Sequence, residues 1–220
     1  MRDPDVRRVL MQALVARYAG ETNTIVVEEL GLRRGSVRAD IAVINGLMKG
    51  FEIKSDRDTL QRLLTQATVY SRVFDTATLV AAERHVAEAM VALPPWWGIE
   101  VVGNDGSLTE VQPTRANPCV DADSVALLLW RDEAISLLAH AGASVHRHET
   151  RQTLCSRLAT ELSLDDLRCA VREALKNRGD GRFRSQRLRD GVMFQPSSTL
   201  SDFPSRLVQP RSRQCTYRPN

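Results

Sequence analysis

Residues 37–55 read VRADIAVINGLMKGFEIKS, and this stretch decides the fold. Its first eight residues, Val37 to Ile44, are rich in β-branched side chains, which predicts a β-strand. Asn45-Gly46 is a strong turn signal between two apolar runs. Met48 to Lys54 then predicts the strand that returns antiparallel to the first. A β-hairpin therefore lies near the centre of the predicted fold.

Three charged side chains interrupt the apolar pattern of this hairpin: Asp40 in the first strand, and Glu52 and Lys54 in the second. Residues two apart in a strand point to the same face, so Glu52 and Lys54 share one face. Charges among buried hydrophobic residues are costly unless they are paired or bind a metal, which indicates a functional site. The alternative interpretation is a structural ion pair on a solvent-facing sheet.

The length of the hairpin loop determines whether Asp40 can join the other two charges. With a strict two-residue loop, Asp40 would face away from Glu52. A three-residue loop, Asn45 to Leu47, places Asp40 directly opposite Glu52, and a bulge at Gly50 would also correct the parity. We therefore expect an odd loop or a bulge. Paired side chains would then have Cβ atoms about 4.5–5.5 Å apart, close enough for both carboxylates to share one cation.

The segments before the hairpin predict an amphipathic helix that ends at Gly20, followed by an apolar stretch, Ile25 to Leu30, whose state the pattern does not assign. The helix that follows the hairpin is predicted to start at Asp58, with Gln61 completing a capping box. The residues expected on the buried sides of these two helices are Val6, Leu10, Leu14, Val15, Leu60, Leu63, Leu64, Ala67, Val69 and Val73.

The remaining order is a strand at Thr78–Ala82, a helix at about Arg84–Leu93, and a last core strand at Trp97–Val102. Helices and strands in this succession predict an α/β fold with a small mixed sheet flanked by helices, covering residues 1–112.

Residues 120–178 are predicted to be helical. The expected helices are Val125–Ala141, Thr153–Leu162, and a third that starts at Ser163 with Asp166 three residues on. The last two form either a helix-turn-helix or a plain packing bundle. Residues 179–220 are rich in Arg, Ser, Pro and Gly, which predicts a disordered tail.

Charge is unevenly distributed along the chain. From Lys176 to Asn220 there are ten Lys or Arg and three Asp, a net of +7, so the first 175 residues carry −4 of the total +3. A basic tail suggests an anionic partner such as nucleic acid, or simply a solvated end. No apolar run approaches the roughly 20 residues needed to span a bilayer, and the N-terminus lacks a secretory signal, so we expect a cytoplasmic protein without a membrane partner.

A third motif follows the hairpin: Gln66 and Tyr70 are four residues apart and so share one face of the predicted helix. Together with Asp40 and the sequence Glu52-Ile53-Lys54, they resemble the PD-(D/E)XK nuclease superfamily, in particular its RecB-type members, which carry a QxxxY motif. The resemblance covers roughly residues 5–102. The same part of the chain also resembles the uncharacterised bacterial and phage sce-type family. The chain departs from the pattern at Ala39, where many members have proline.

This resemblance implies a restriction-endonuclease-like core and metal-dependent hydrolysis of DNA phosphodiester bonds. Asp40, Glu52 and the Ile53 carbonyl would bind Mg²⁺ or Mn²⁺, hard cations that prefer oxygen ligands. Lys54 would orient or help deprotonate the attacking water.

The resemblance assigns supporting roles to further residues. Gln66 and Tyr70 would position the substrate or Lys54. Glu29, with Glu28 as second choice, would be the acid that members carry on a preceding helix. The alternative function is a nuclease-like fold that binds nucleic acid or a protein partner without cleaving, and a homodimer is left open.

Overall fold

A computed structural model describes residues 1–178 and the short strand 185–187. The predicted disordered tail, residues 179–220, otherwise lies outside the described part. The elements, in chain order, are α1 Asp3–Arg17, β1 Ile25–Leu32, β2 Val37–Ile44, β3 Met48–Lys54, α2 Leu63–Ser71, β4 Thr76–Ala81, α3 Val86–Ala92, β5 Gly98–Val102, β6 Leu108–Gln112, α4 Ala122–Ala126, α5 Arg131–His140, α6 Arg151–Glu161, α7 Leu164–Asn177 and β7 Ser185–Arg187. Within the described residues, no helix is long and apolar enough to cross a membrane.

The strands form one mixed sheet in the order β6-β5-β4-β3-β2-β1-β7. β3, β4 and β5 run parallel to one another, because α2 and α3 carry the chain back between them. All other neighbouring pairs are antiparallel. The predicted α/β fold with a mixed sheet between helices is confirmed. β6 was not predicted, and it extends the sheet beyond β5.

Two apolar clusters cover the two faces of the sheet. One face packs against α1, with Leu10 and Leu14 fully buried beside Ile41 and Phe51. The other face packs against α2, and its cluster continues without interruption into α4, α5, α6 and α7. The hairpin of β2 and β3 therefore lies between α1 on one side and α2 on the other.

The loop between β2 and β3 has three residues, 45–47, because Ile44 is opposite Met48. The prediction of an odd loop is confirmed. Gly50 is not a bulge; it continues the regular ladder. A Cβ at this position would lie 2.5 Å from the ring of Phe74, so glycine is required by packing.

The antiparallel pair of β1 and β2 contains a local irregularity at Glu29 and Asp40. On both strands, residues three apart lie in the same apolar cluster, although regular alternation would put them on opposite faces; these residues are Val27, Leu30, Ala39 and Ala42. Glu29 has a φ of 55°, a left-handed conformation that costs a non-glycine residue about 1–2 kcal/mol. On both strands, the alternation of side chains between the two faces of the sheet is therefore interrupted at Glu29 and Asp40.

Some expected positions are wrong. The helix after the hairpin starts at Leu63 and not at Asp58, because the Asp58 carboxylate accepts hydrogen bonds from the Ser55 N–H and hydroxyl. Val15 is 42% exposed and Leu64 47% exposed, so both lie outside the apolar faces that were assigned to them.

The predicted helix Val125–Ala141 is also wrong as a single element, since it is divided into α4 and α5. Carbonyls between the two helices are bound from distant parts of the chain: Arg151 donates to Leu129 O at 2.6 Å and Arg178 to Leu128 O at 2.7 Å. By contrast, α7 begins after Ser163, whose side chain accepts a hydrogen bond from Asp166 N, as predicted.

Candidate functional site

Glu52 and Lys54 form a buried ion pair at the carboxyl end of β3. The Lys54 Nζ lies 2.6 Å from Glu52 Oε1, and the two side chains are 7% and 1% exposed. The alternative interpretation of a solvent-facing pair is therefore wrong. Removing two charges from water costs several kcal/mol for each ion, which their attraction offsets only in good geometry. A pair of this kind on one strand requires a reason beyond stability.

The helix α2 supplies two further side chains to this pair. Gln66 donates from Nε2 to Glu52 Oε1 and accepts from Lys54 Nζ at 3.1 Å. The Tyr70 hydroxyl donates to Glu52 Oε2 at 2.7 Å. The spacing of four residues puts both on the helix face that packs on β3. The structure thus brings together the four residues Glu52, Lys54, Gln66 and Tyr70, which we call the acid–lysine cluster.

Tyr70 is held rigidly within the core. Its ring is fully buried, with centroid distances of 5.0 Å to Phe74 and 5.3 Å to Trp97. Burial, and next the negative charge of Glu52, raise the pKa of Tyr70 well above its ordinary value. Tyr70 therefore stays protonated and acts as a hydrogen-bond donor to Glu52.

Asp40 lies at the point where β2 and β3 separate. Ladder pairing ends at Ile41 and Phe51, and the Ile53 N–H is bound at 2.8 Å by Asp40 Oδ2. The side chain takes the place of the next backbone acceptor. Burial, and next the negative charge of Glu52, raise the pKa of Asp40 to about 6, against the lowering effects of Ile53 N–H, Arg7 and Lys54.

Arg7 of α1 binds Asp40 from the other side of the sheet, a role that no sequence pattern predicted. Its Nη1 donates to the Asp40 carbonyl at 2.9 Å, and its Nη2 contacts Asp40 Oδ1 at 3.3 Å and Glu29 Oε1 at 3.1 Å. Asp3 and Glu28 lie at 3.7 and 3.8 Å. One guanidinium therefore contacts four carboxylates from three elements.

The expected common site of Asp40, Glu52 and Lys54 is arranged as two adjoining groups. Asp40 is level with Glu52 when the strand register is extended by one residue. Within the described residues, however, no hydrogen bond or ion pair joins Asp40 to Glu52 or Lys54. The peptide of Ile53 separates the acid–lysine cluster, which faces α2, from the contacts of Asp40 with Arg7 of α1.

Glu29 occupies a different element from the one implied by the family resemblance. It lies on β1, a strand and not a preceding helix. The segment forms a strand because its apolar residues pair with those of β2, as Leu30 does with Ala39. Glu29 nevertheless reaches the site through Arg7, while Glu28 is the more distant partner of the same arginine.

The carboxylate oxygens of Asp40 and Glu52 are of the type that a hard divalent cation prefers. Two carboxylates offer about eight lone-pair positions. Hydrogen-bond donors of the protein occupy five of them, two at Asp40 and three at Glu52. Mg²⁺ is commonly held by one or two carboxylates with waters and substrate phosphates. Among the described residues, no three His, Cys, Asp or Glu side chains are grouped so as to form a metal site by themselves.

The fold and this site define a class: a mixed α/β protein with a buried acid–lysine pair where two central antiparallel strands separate. The chain belongs to the family described as bacteriophage P4 protein cII, whose model matches residues 1–189.

Two individual proteins show the extent of the similarity. Protein cII of Enterobacteria phage P4 is 29% identical over 181 residues, which cover 81% of this chain and 68% of that protein. A solved structure, the SPO1766 protein of unknown function from Silicibacter pomeroyi, matches 61% of this chain and 92% of its own, with 20% identity and a TM-score of 0.38. The latter likeness is too low to carry an argument.

Proposed function

We propose that this protein is a metal-dependent nuclease of the PD-(D/E)XK type, which hydrolyses phosphodiester bonds of DNA. The observation that carries the proposal is the burial of Glu52 and Lys54 on one face of β3, fixed by Gln66 and Tyr70. Buried charged groups with specific charge partners are candidates for functional sites. Asp40, beside Ile53, adds the second acid.

The roles of the residues follow from their chemistry. Asp40 and Glu52, with the Ile53 carbonyl, would hold Mg²⁺ or Mn²⁺. When bound, such an ion lowers the pKa of a water ligand and stabilises charge on a phosphate. Lys54 would orient the attacking water, and Gln66 and Tyr70 are positioning residues that hold Glu52 and Lys54 in one geometry. Arg7 would hold the Asp40 carboxylate, and Glu29 would orient the Arg7 guanidinium.

Plasmid nicking by the purified full chain, with and without Mg²⁺ or Mn²⁺, tests this function. The variants are Asp40→Asn and, as a matched control, Glu100→Gln. Glu100 is also a nearly buried acid on a central strand, paired with Arg17 at 3.2 Å, but lies on β5 away from the cluster. We expect metal-dependent cleavage that Asp40→Asn abolishes and Glu100→Gln retains. Equal cleavage by wild type and Asp40→Asn would identify a contaminating nuclease.

A second candidate is a nuclease-like module that binds nucleic acid or a protein partner without cutting. The observation in its favour is that the Lys54 side chain is only 7% exposed and that its Nζ is bound by two protein acceptors. A substrate could reach it only after these contacts rearrange. Binding without cleavage across single-stranded, duplex and RNA substrates with several metals would favour this candidate.

A further inference from the structure

We propose that the turn between β1 and β2 is a docking surface for the sugar–phosphate backbone of a nucleic-acid strand, contacted by Arg33, Arg34 and Arg38. We call these three residues the turn arginines. The inference rests on the proposed function only in taking the polyanion to be a nucleic acid. It assigns binding to a part of the molecule separate from the acid–lysine cluster.

The turn arginines carry charge that no acid neutralises within the described residues. All three are exposed. Arg33 and Arg38 have no hydrogen-bond or ion-pair partner for their side chains in that part of the chain. The Arg34 guanidinium donates to the neutral amide oxygen of Gln152, which attaches the turn to α6 and leaves its positive charge available.

The cations of the candidate site itself are already engaged. Arg7 is surrounded by four carboxylates, and Lys54 is bound to Glu52. A polyanion that approaches Asp40 and Glu29 meets negative charge unless other cations neutralise its phosphates. The turn arginines are cations without an acidic partner among the described residues, in or directly after the turn that joins β1 and β2, so they can supply this charge.

Their position along the strands places them beside the site. Arg38 is two residues from Asp40 on β2. Extending the β2–β3 register by three residues from Ile41 and Phe51 brings Arg38 level with Lys54. The two strands have separated there, so Arg38 lies on the β2 side of the gap and Lys54 on the β3 side.

The backbone of the turn is left-handed at Arg33 and Arg34. Arg33 and Arg34 have φ values of 44° and 60°, in the left-handed region that glycine or asparagine would adopt at lower cost. Gly35 follows with a φ of 84°. Left-handed non-glycine residues cost free energy and cluster at functional and ligand-contacting sites, which supports a contact at Arg33 and Arg34.

Binding of fluorescein-labelled DNA to the full chain tests the proposal, with EDTA present so that no metal-dependent cleavage occurs. A 20-base-pair duplex and one of its single strands are titrated from low to moderate salt. The variant is Arg33→Gln/Arg38→Gln. We expect at least about a tenfold loss of affinity and a decrease of about 1.4–1.8 in the salt slope, as for the loss of two phosphate contacts. Since Arg33 is already a left-handed non-glycine residue, glutamine should not add strain.

The matched control is Arg115→Gln, an exposed arginine in the loop after β6, at the other edge of the sheet. It should bind DNA as the wild type does. Wild-type affinity of Arg33→Gln/Arg38→Gln, an equal loss in Arg115→Gln, no binding by the wild type, or competition by poly-glutamate as strong as by DNA would each overturn the inference. Failure of the nuclease proposal would give a different result: DNA binding that depends on the turn arginines, without cleavage.

Discussion

Among the described residues, the ion pairs Arg178–Glu133 and Glu52–Lys54 are both largely withdrawn from water, and they connect the chain differently. Arg178 and Glu133 are 45 residues apart and form two contacts of 2.6 and 2.8 Å, which join the end of α7 to the first turn of α5. Arg178 also donates to Leu128 O and stacks on Trp130 at 4.2 Å. Glu52 and Lys54 are two residues apart on one strand, so their mutual bond joins no distant elements.

The difference indicates why each pair exists. A long-range pair restricts the folded chain and satisfies carbonyl groups between helices, which is a structural role. A pair within one strand carries the same desolvation cost without that benefit. Buried charges with no structural purpose are candidates for chemistry. Four substitutions or conditions, taken from the largest expected effect to the smallest, test this distinction.

Lys54→Met should have the largest effect. It leaves the buried Glu52 carboxylate without a cation, which should lower the free energy of unfolding by about 3–5 kcal/mol and abolish any cleavage. Glu52→Gln/Lys54→Met should regain wild-type stability or exceed it, because both charges are gone, but remain inactive. Urea unfolding and plasmid nicking measure the two properties. A double variant as unstable as the single one would give the pair a structural role.

Arg178→Met should affect stability alone. The loss of the contacts with Glu133 and Leu128 O should cost about 3 kcal/mol, while DNA cleavage below the unfolding transition should be unchanged. Thermal unfolding followed by circular dichroism, together with the nicking assay at a permissive temperature, measures this. A loss of cleavage in a folded Arg178→Met protein would break the comparison between the two pairs.

Tyr70→Phe should have a smaller effect. It removes one hydrogen bond to a charged carboxylate, worth about 1.5–3 kcal/mol, and keeps the ring packed on Phe74 and Trp97. We expect reduced stability together with slower cleavage, since Glu52 loses one of its three donors. Phe74→Leu, which alters the same core without touching Glu52, is the control and should lower stability with cleavage retained at permissive temperature.

The pH dependence of metal binding should be the smallest of the four effects on function. Metal binding requires ionised Asp40, whose pKa is raised to about 6, so Mn²⁺ affinity should fall about tenfold for each pH unit below that value. Stability changes in the other direction: the folded protein binds this proton more tightly than the unfolded chain, so metal-free stability decreases as pH rises from about 4 to about 6. Calorimetric titration of Mn²⁺ measures the first effect. An unchanged affinity from pH 5 to 7.5 would contradict it.

The hairpin was predictable because its signals are local. β2 and β3 have the predicted bounds, Val37–Ile44 and Met48–Lys54, since apolar pattern and turn residues act over a few positions. The three-residue loop between β2 and β3 followed from the requirement that Asp40 and Glu52 point to the same face. The grouping of Gln66 and Tyr70 with Glu52 followed from the helical repeat, and the helix after Ser163 from its cap.

Other features depended on distant parts of the chain. The break between α4 and α5 is associated with arginines from α6 and the end of α7, Arg151 and Arg178. β6 has few buried side chains and so gives a weak periodic signal. The start of α2 moved because Asp58 binds Ser55, a preference that competes with capping.

By itself, the sequence determined which acids and which lysine stand at which spacing, and hence that Glu52 and Lys54 share a face. The register that makes residue 40 level with residue 52 was an expectation that the structure had to decide. Only the tertiary structure decided that Asp40 is held by Arg7 from across the sheet and that the acid–lysine cluster is buried. Strand periodicity and turn geometry are properties of neighbouring residues. Burial and charge neutralisation depend on elements that meet only when the whole chain has packed.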